Sequence, residues 1–197
     1  MSIAARYNNI EIPNRIVCSQ STVRHVIGAT LRDVAMPVTF TPFASVEPCT
    51  ARCRFCSEAL VYKHSTRLSA TLRPASDYGR KLRRVLAELR GLRVGLSLSG
   101  LEATSNSEWL LDVLAAAEEH VRSGGEFVER VLYSNGTGLA EESSQDSVSV
   151  LHALQRIALT RVEMSRHSLH QERNDAIMRF NAGVAIRSND VFERTVR

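Results

Sequence analysis

Three cysteines stand within eight residues, in the run Cys49-Thr50-Ala51-Arg52-Cys53-Arg54-Phe55-Cys56. The spacing is C-x3-C-x2-C, with an aromatic residue directly before the third thiol. Three thiolates on one short loop can hold three corners of a cubic iron–sulfur cluster, whereas the usual four-cysteine cluster needs a fourth ligand nearby. The motif supplies no fourth, so one iron would be left open to bind something else. The rival chemistry is structural zinc, which asks for four ligands, often from two paired knuckles. Cys18 or His64 could complete such a set, but a second knuckle is missing and Phe55 is left without a role. Cys18 otherwise reads as a plain thiol following Ile16 and Val17.

Three other segments carry unusual polar residues: Ser99-Gly100-Leu101-Glu102-Ala103-Thr104, Ser134-Asn135-Gly136-Thr137-Gly138 and Ser165-Arg166-His167-Ser168-Leu169-His170. Glu102 reads either as a site residue or as a carboxylate favoured by a helix N-terminus. Asn135-Gly136 reads as a turn or as a cofactor contact. His167 and His170 read as loop hydrogen-bonders or as substrate contacts.

The elements that must position these residues follow from periodicity. Met36 to Pro42 is short, β-branched and bounded by prolines, which predicts a strand over Val38 to Thr41 leading into the cysteine loop. Residues 57–74 read as irregular, closed by Pro74. Asp77 to Arg90 reads as a helix through Tyr78, Leu82, Val85, Leu86 and Leu89. Val94 to Ser99 reads as a strand. Ser107 is the expected N-cap of a helix over Glu108 to Arg122, with Leu110, Val113, Leu114, Ala117 and Val121 as its buried stripe and Trp109 in core or interface. Phe127 to Ser134 reads as a strand, Ser147 to Leu159 as a helix through Val148, Leu151, Leu154 and Ile157, and Arg161 to Ser165 as a fourth strand. Ser188 would cap a last helix over Asn189 to Arg197. Strands alternating with helices in this way predict an α/β fold of about four parallel βα units, a sheet or a partial (β/α) TIM-like barrel. In parallel βα folds ligand chemistry sits at the C-terminal ends of the strands. All four unusual segments fall there.

Composition narrows the class. The 197 residues suit one domain, and a hydrophobic fraction of 44% is enough for a core. No apolar run approaches the roughly 18–20 residues of a membrane span. Met1 to Asn9 carries no apolar stretch of the secretory kind, so the chain reads as cytoplasmic. Thiols stay reduced there, and clustered cysteines bind metal more readily than they pair. The net charge is +4, and Lys63 and Lys81 are the only lysines, which leaves little room for lysine-based catalysis. The run Arg80-Lys81-Leu82-Arg83-Arg84, with Arg90 and Arg93, alternates with the apolar stripe as a solvated outer face does. A nucleic-acid-contacting surface is the other reading. No aromatics interleave to stack bases.

On Cys49, Cys53, Phe55 and Cys56, on Gly100-Leu101-Glu102-Ala103, and more loosely on Tyr133-Ser134-Asn135-Gly136 and Glu163-Met164-Ser165, the chain resembles the radical S-adenosylmethionine (radical SAM) enzymes. The family's second motif usually reads Gly-Gly-Glu-Pro, so Leu101 and Ala103 are departures. The resemblance implies a core domain over residues 36–197 behind an N-terminal extension of residues 1–35. It implies a [4Fe–4S] cluster held by Cys49, Cys53 and Cys56, with S-adenosylmethionine (SAM) chelating the open iron. Reductive cleavage of SAM would give a 5′-deoxyadenosyl radical that abstracts hydrogen from a substrate the residues do not identify. Phe55 would lie against the adenine, and Gly100, Leu101 and Glu102 would meet the SAM ammonium mainly through backbone carbonyls. Ser165 would reach the ribose, and Arg166 could fork onto the SAM carboxylate. A reducing partner such as a flavodoxin or ferredoxin is implied. The family core commonly has six βα units against the four counted here, so the expectation is a chain truncated after the fourth unit, with one sheet edge exposed. The alternatives are a zinc-stabilised nucleic-acid-binding module and an inactive truncated relative.

Overall fold

A computed structural model describes residues 6–7, 10–11, 21–43, 45, 47–56, 74–139 and 145–183. In chain order the strands are β1 (Arg6–Tyr7), β2 (Ile10–Glu11), β3 (Ser21–Ile27), β4 (Thr30–Met36), β5 (Val38–Phe40), β6 (Arg93–Leu98), β7 (Glu126–Ser134) and β8 (Arg161–Met164). The helices are α1 (Ala75–Glu88), α2 (Ser107–Arg122), α3 (Gln145–Arg156) and α4 (Gln171–Met178), with a 3₁₀ turn at Thr137–Leu139. Strands β5, β6, β7 and β8 form one four-stranded sheet in that order. Every pairing in it is parallel. The protein is therefore α/β, with consecutive strands side by side and a helix in the connections from β5 to β6, β6 to β7 and β7 to β8.

The sheet forms because its central strands alternate. Val94, Leu96 and Leu98 of β6 are buried, while Gly95 and Ser97 between them are half-buried. The buried face packs on Leu82 and Leu86 of α1, Leu110, Val113, Leu114 and Ala117 of α2, and Val150, Leu154 and Ile157 near α3. Each large aliphatic buried there contributes about 1.5–3 kcal/mol. The register slips between Val94 and Gly95, which pair with Phe127 and Glu129, so Val128 is one extra residue in β7. That bulge restores the match of Leu98 to Leu132, both fully buried.

Trp109 is core. It is 2% exposed and stacks on Tyr78 with ring centroids 4.6 Å apart. Its Nε1–H donates to the Phe43 carbonyl at 2.8 Å, and the Phe43 N–H donates to the Tyr78 hydroxyl at 2.7 Å. Two helix aromatics thus hold both backbone groups of Phe43, at the entrance to the cysteine loop.

Several local expectations are corrected. The cap of α2 is Asn106, whose Oδ1 accepts the Trp109 N–H at 2.9 Å, so Ser107 is already the first helical residue. Val85, Val121 and Leu151 belong to apolar stripes yet are 44%, 41% and 46% exposed. They lie at stripe edges, beyond the reach of neighbouring elements. The stretch expected to be an N-terminal extension contains the antiparallel β3–β4 hairpin, turned by Gly28 at φ +62°, and β4 runs across the expected boundary to Met36. The hairpin docks on α1, where His25 Nε2 lies 2.6 Å from the Glu88 carbonyl and the Gly28 N–H donates to the Glu88 carboxylate at 2.7 Å. Helix α4 follows β8 without having been read in the sequence. Cys18, His64, residues 57–73 and the Asn189–Arg197 helix capped by Ser188 lie outside the described residues.

Among the described residues β8 pairs only with β7. Beside it an open apolar groove of about 640 Å³ is lined by Leu132, Leu154, Val162 and Met164, among others. No helix of the described residues is long and apolar enough to cross a membrane.

Candidate functional site

Three of the four segments singled out by residue type close on one another through Glu102. It follows β6, is 1% exposed and lies four residues before the α2 cap. Its Oε1 accepts the Thr104 N–H at 3.0 Å, the Thr104 hydroxyl at 2.6 Å and the Ser134 hydroxyl at 2.6 Å. Its Oε2 accepts the Asn135 N–H at 2.6 Å. Three donors thus converge on one carboxylate oxygen and one on the other. The side chain therefore ties the end of β6 to the end of β7 rather than reaching outward, and it is not part of the first turn of α2. Its carbonyl accepts both the N–H and the hydroxyl of Ser105, at 3.2 and 2.8 Å.

Asn135, held in this way by its backbone, is 5% exposed. Its Oδ1 accepts the N–H and the hydroxyl of Thr137, at 3.0 and 2.8 Å. A backbone N–H can only donate, so Thr137 fixes which end of the amide is oxygen. The Nδ2 end then faces the cysteine loop, donating to Thr50 Oγ1 at 3.0 Å and to Cys49 Sγ at 3.7 Å. Thr50 and Thr137 close the ring, with their hydroxyl oxygens 2.8 Å apart. Each bond in such a ring polarises the next.

The far side of the cysteine loop is held by the last turn of α4 and the residues just beyond it. The Arg52 N–H lies 2.9 Å from the Met178 carbonyl, and the Arg54 N–H donates to Ile177 at 3.1 Å. The Asn181 N–H donates to the Thr50 carbonyl at 2.9 Å, and Asn181 Nδ2 donates to the Cys49 carbonyl at 3.2 Å. Ala51 and Phe180 form an antiparallel bridge. The loop is thus a short two-chain ribbon rather than a free turn.

Cys49, Cys53 and Cys56 are half-buried. Burial pushes the Cys49 thiol up to about 11; Glu102, Cys53 and Cys56 add to the shift, and the Ala51 N–H opposes it. Burial and then Cys56 raise Cys53 as well. The thiols are thus near enough to feel one another. Among the described residues no group of three or more His, Cys, Asp or Glu could hold a metal ion.

The remaining predicted residues divide. Gly100 and Leu101 both have left-handed backbone, at φ +91° and +53°. At Leu101, which carries a Cβ, that conformation is strained. Phe55 is 62% exposed and meets the His167 ring edge-on, centroids 4.5 Å apart. The fourth segment therefore touches the first. Ser165 is exposed, and its N–H donates to the Ser134 carbonyl at 2.8 Å, continuing the β7–β8 ladder. Arg166 is half-buried, and its Nε donates to the Ser168 carbonyl at 3.3 Å. His167 and His170 are exposed, on a loop tied down by buried Asn174, whose Oδ1 accepts the His167 N–H. The basic stretch of α1 is ion-paired in part: Arg80 and Lys81 share Asp77, and Arg83 meets Glu119 at 2.8 Å.

Sequence reasoning missed the tie from Met178 to Asn181 and the roles of Thr50 and Thr104. The Ser134-to-Gly138 run was a signal for the second, because three small polar residues and two glycines crowd one strand end. Nothing local marks residues 178–181. No protein-family model, no curated protein and no solved structure matches the chain.

Proposed function

We propose that the chain is a radical SAM enzyme, its four βα units part of a TIM-like barrel. One observation carries the reading. The C-x3-C-x2-C loop is stapled at the C-terminal end of a parallel βα sheet, and a buried amide N–H from the third strand end points at its first thiol. The donor set fits a cluster. Three thiols share one loop, and a cubic cluster distributes them over three different irons, which asks for wider spacing than the ligands of a single ion. When bound, the cluster and SAM together supply the single electron and the hydrogen-abstracting radical.

The chain's own residues then have these roles. Cys49, Cys53 and Cys56 hold the cluster. Gly100 and Leu101 offer backbone carbonyls to the SAM ammonium, while the Glu102 carbonyl is engaged by Ser105. Phe55 is exposed enough to cover an adenine, Ser165 reaches a ribose and Arg166 the SAM carboxylate. Glu102 and Asn135 set the loop. A flavodoxin or ferredoxin supplies the electron, in a reducing cytoplasm. Asp77 and Glu119 offset part of the positive charge along α1, which weakens the case for the nucleic-acid module.

The test is anaerobic iron–sulfide reconstitution and low-temperature EPR of the reduced protein. A [4Fe–4S]⁺ signal that changes on adding SAM is expected. Stoichiometric zinc and no cluster would overturn the reading, and a cluster indifferent to SAM would leave an inactive relative. Changing any one of Cys49, Cys53 or Cys56 to Ala should abolish assembly.

A further inference from the structure

We infer that Asn135 tunes the reduction potential of this site by donating its side-chain N–H to the Cys49 sulfur, and that Glu102 and Thr137 are the positioning residues that aim it. The inference rests on the proposed cluster. Hydrogen bonds to cluster sulfurs are one of the levers that set iron–sulfur potentials, because they favour the reduced, more negative state. The geometry supports a directed donor and not a chance contact. The Asn135 amide orientation is dictated by Thr137, whose N–H requires the oxygen end at 3.0 Å and whose hydroxyl donates to the same oxygen at 2.8 Å. The Asn135 backbone is pinned by the Glu102 carboxylate at 2.6 Å. The residue is 5% exposed, so water competes little for the N–H and the surrounding dielectric is low. The sulfur it meets belongs to the first cysteine of the motif, 86 residues away in the chain, at 3.7 Å.

The experiment is a redox titration of reconstituted wild type, Asn135→Ala, Asn135→Asp and Thr50→Val, read by the EPR of the reduced cluster. Thr50→Val breaks the same hydroxyl ring but leaves the N–H on Cys49. At a potential where wild type is half reduced, Asn135→Ala should hold several-fold less reduced cluster; a tenfold fall in the reduced-to-oxidised ratio equals about 59 mV for one electron. Asn135→Asp, which puts an oxygen in place of the donor, should fall further, and Thr50→Val should titrate with wild type. Equal potentials for wild type and Asn135→Ala would overturn the inference while leaving the cluster reading standing. So would a Thr50→Val shift as large as that of Asn135→Ala, since loop position and not the donor would then set the potential. Wild type that assembles no cluster would overturn the cluster reading, and the inference with it.

Discussion

The carboxylate of Glu102 accepts the backbone N–H of Asn135 at 2.6 Å, joining the end of β6 to the end of β7. The same carboxylate takes the Ser134 and Thr104 hydroxyls. One buried acid therefore decides where Asn135 stands, and through Asn135 where the cysteine loop stands.

Replacing Glu102 with Ala leaves the Asn135 and Thr104 N–H groups and two hydroxyls buried without their acceptor. Leaving buried donors unpaired costs about 1–3 kcal/mol each, partly relieved by water. The expected outcome is a loss of about 3 kcal/mol or more in urea unfolding, with iron loading falling as well. Unchanged stability would mean the node is not a structural tie.

Gly138 is a second constraint on the same node. A Cβ there would lie 1.8 Å from the Thr104 carbonyl oxygen, a backbone atom that no rotamer change can move. Gly138→Ala should therefore displace the 3₁₀ turn at Thr137–Leu139 and cost about 2 kcal/mol or more, measured by thermal or urea unfolding.

The stapling of the cysteine loop is open to hydrogen exchange. The Arg52 and Arg54 amides, bonded to Met178 and Ile177, should exchange slowly in the metal-free protein. Asn181→Ala removes the bond to the Cys49 carbonyl and should speed that exchange several-fold, consistent with about 1 kcal/mol for one hydrogen bond. Exchange already at the unprotected rate in wild type would contradict the staple.

The buried Cys49 thiol predicts an alkaline limb. Its pKa is raised by burial from an ordinary 9.0 to about 11, so folding favours the protonated thiol. Its contribution to the metal-free protein is present below pH 9 and lost as the pH rises through about 11. Urea midpoints should fall across that window, and Cys49→Ala should flatten the fall. Iron loading, which needs the thiolate, should release protons and tighten as the pH rises from 7.

His120 predicts the opposite limb. It is 3% exposed, its ring lies 4.8 Å from that of Phe127, and among the described residues no group meets either ring nitrogen in good hydrogen-bond geometry. Burial, then Arg90, lowers its pKa below 6.5, while the Leu86 carbonyl opposes them. Stability from the neutral imidazole is present above pH 6.5 and lost as the pH falls through the lowered value. His120→Leu should flatten the acid side of the stability profile. An acid limb identical to wild type would remove His120 as its cause.

What the sequence by itself determined was whatever rests on short spacing. The cysteine run, the helical stripes of α1 and α2 and the alternation of Val94, Leu96 and Leu98 are periodic over a few residues, and periodicity suffices to order the four parallel strands with the three helices between them and put the unusual segments at strand ends. It failed where burial is nearly absent: β3 and β4 expose most of their side chains, so the hairpin carries no alternation to read. Only the tertiary structure decided the site's connections. Glu102 meets Asn135 across 33 residues, Asn135 meets Cys49 across 86, and Asn181 meets Cys49 across 132. These contacts depend on which strand ends the parallel sheet sets side by side, and no local pattern in the chain encodes that.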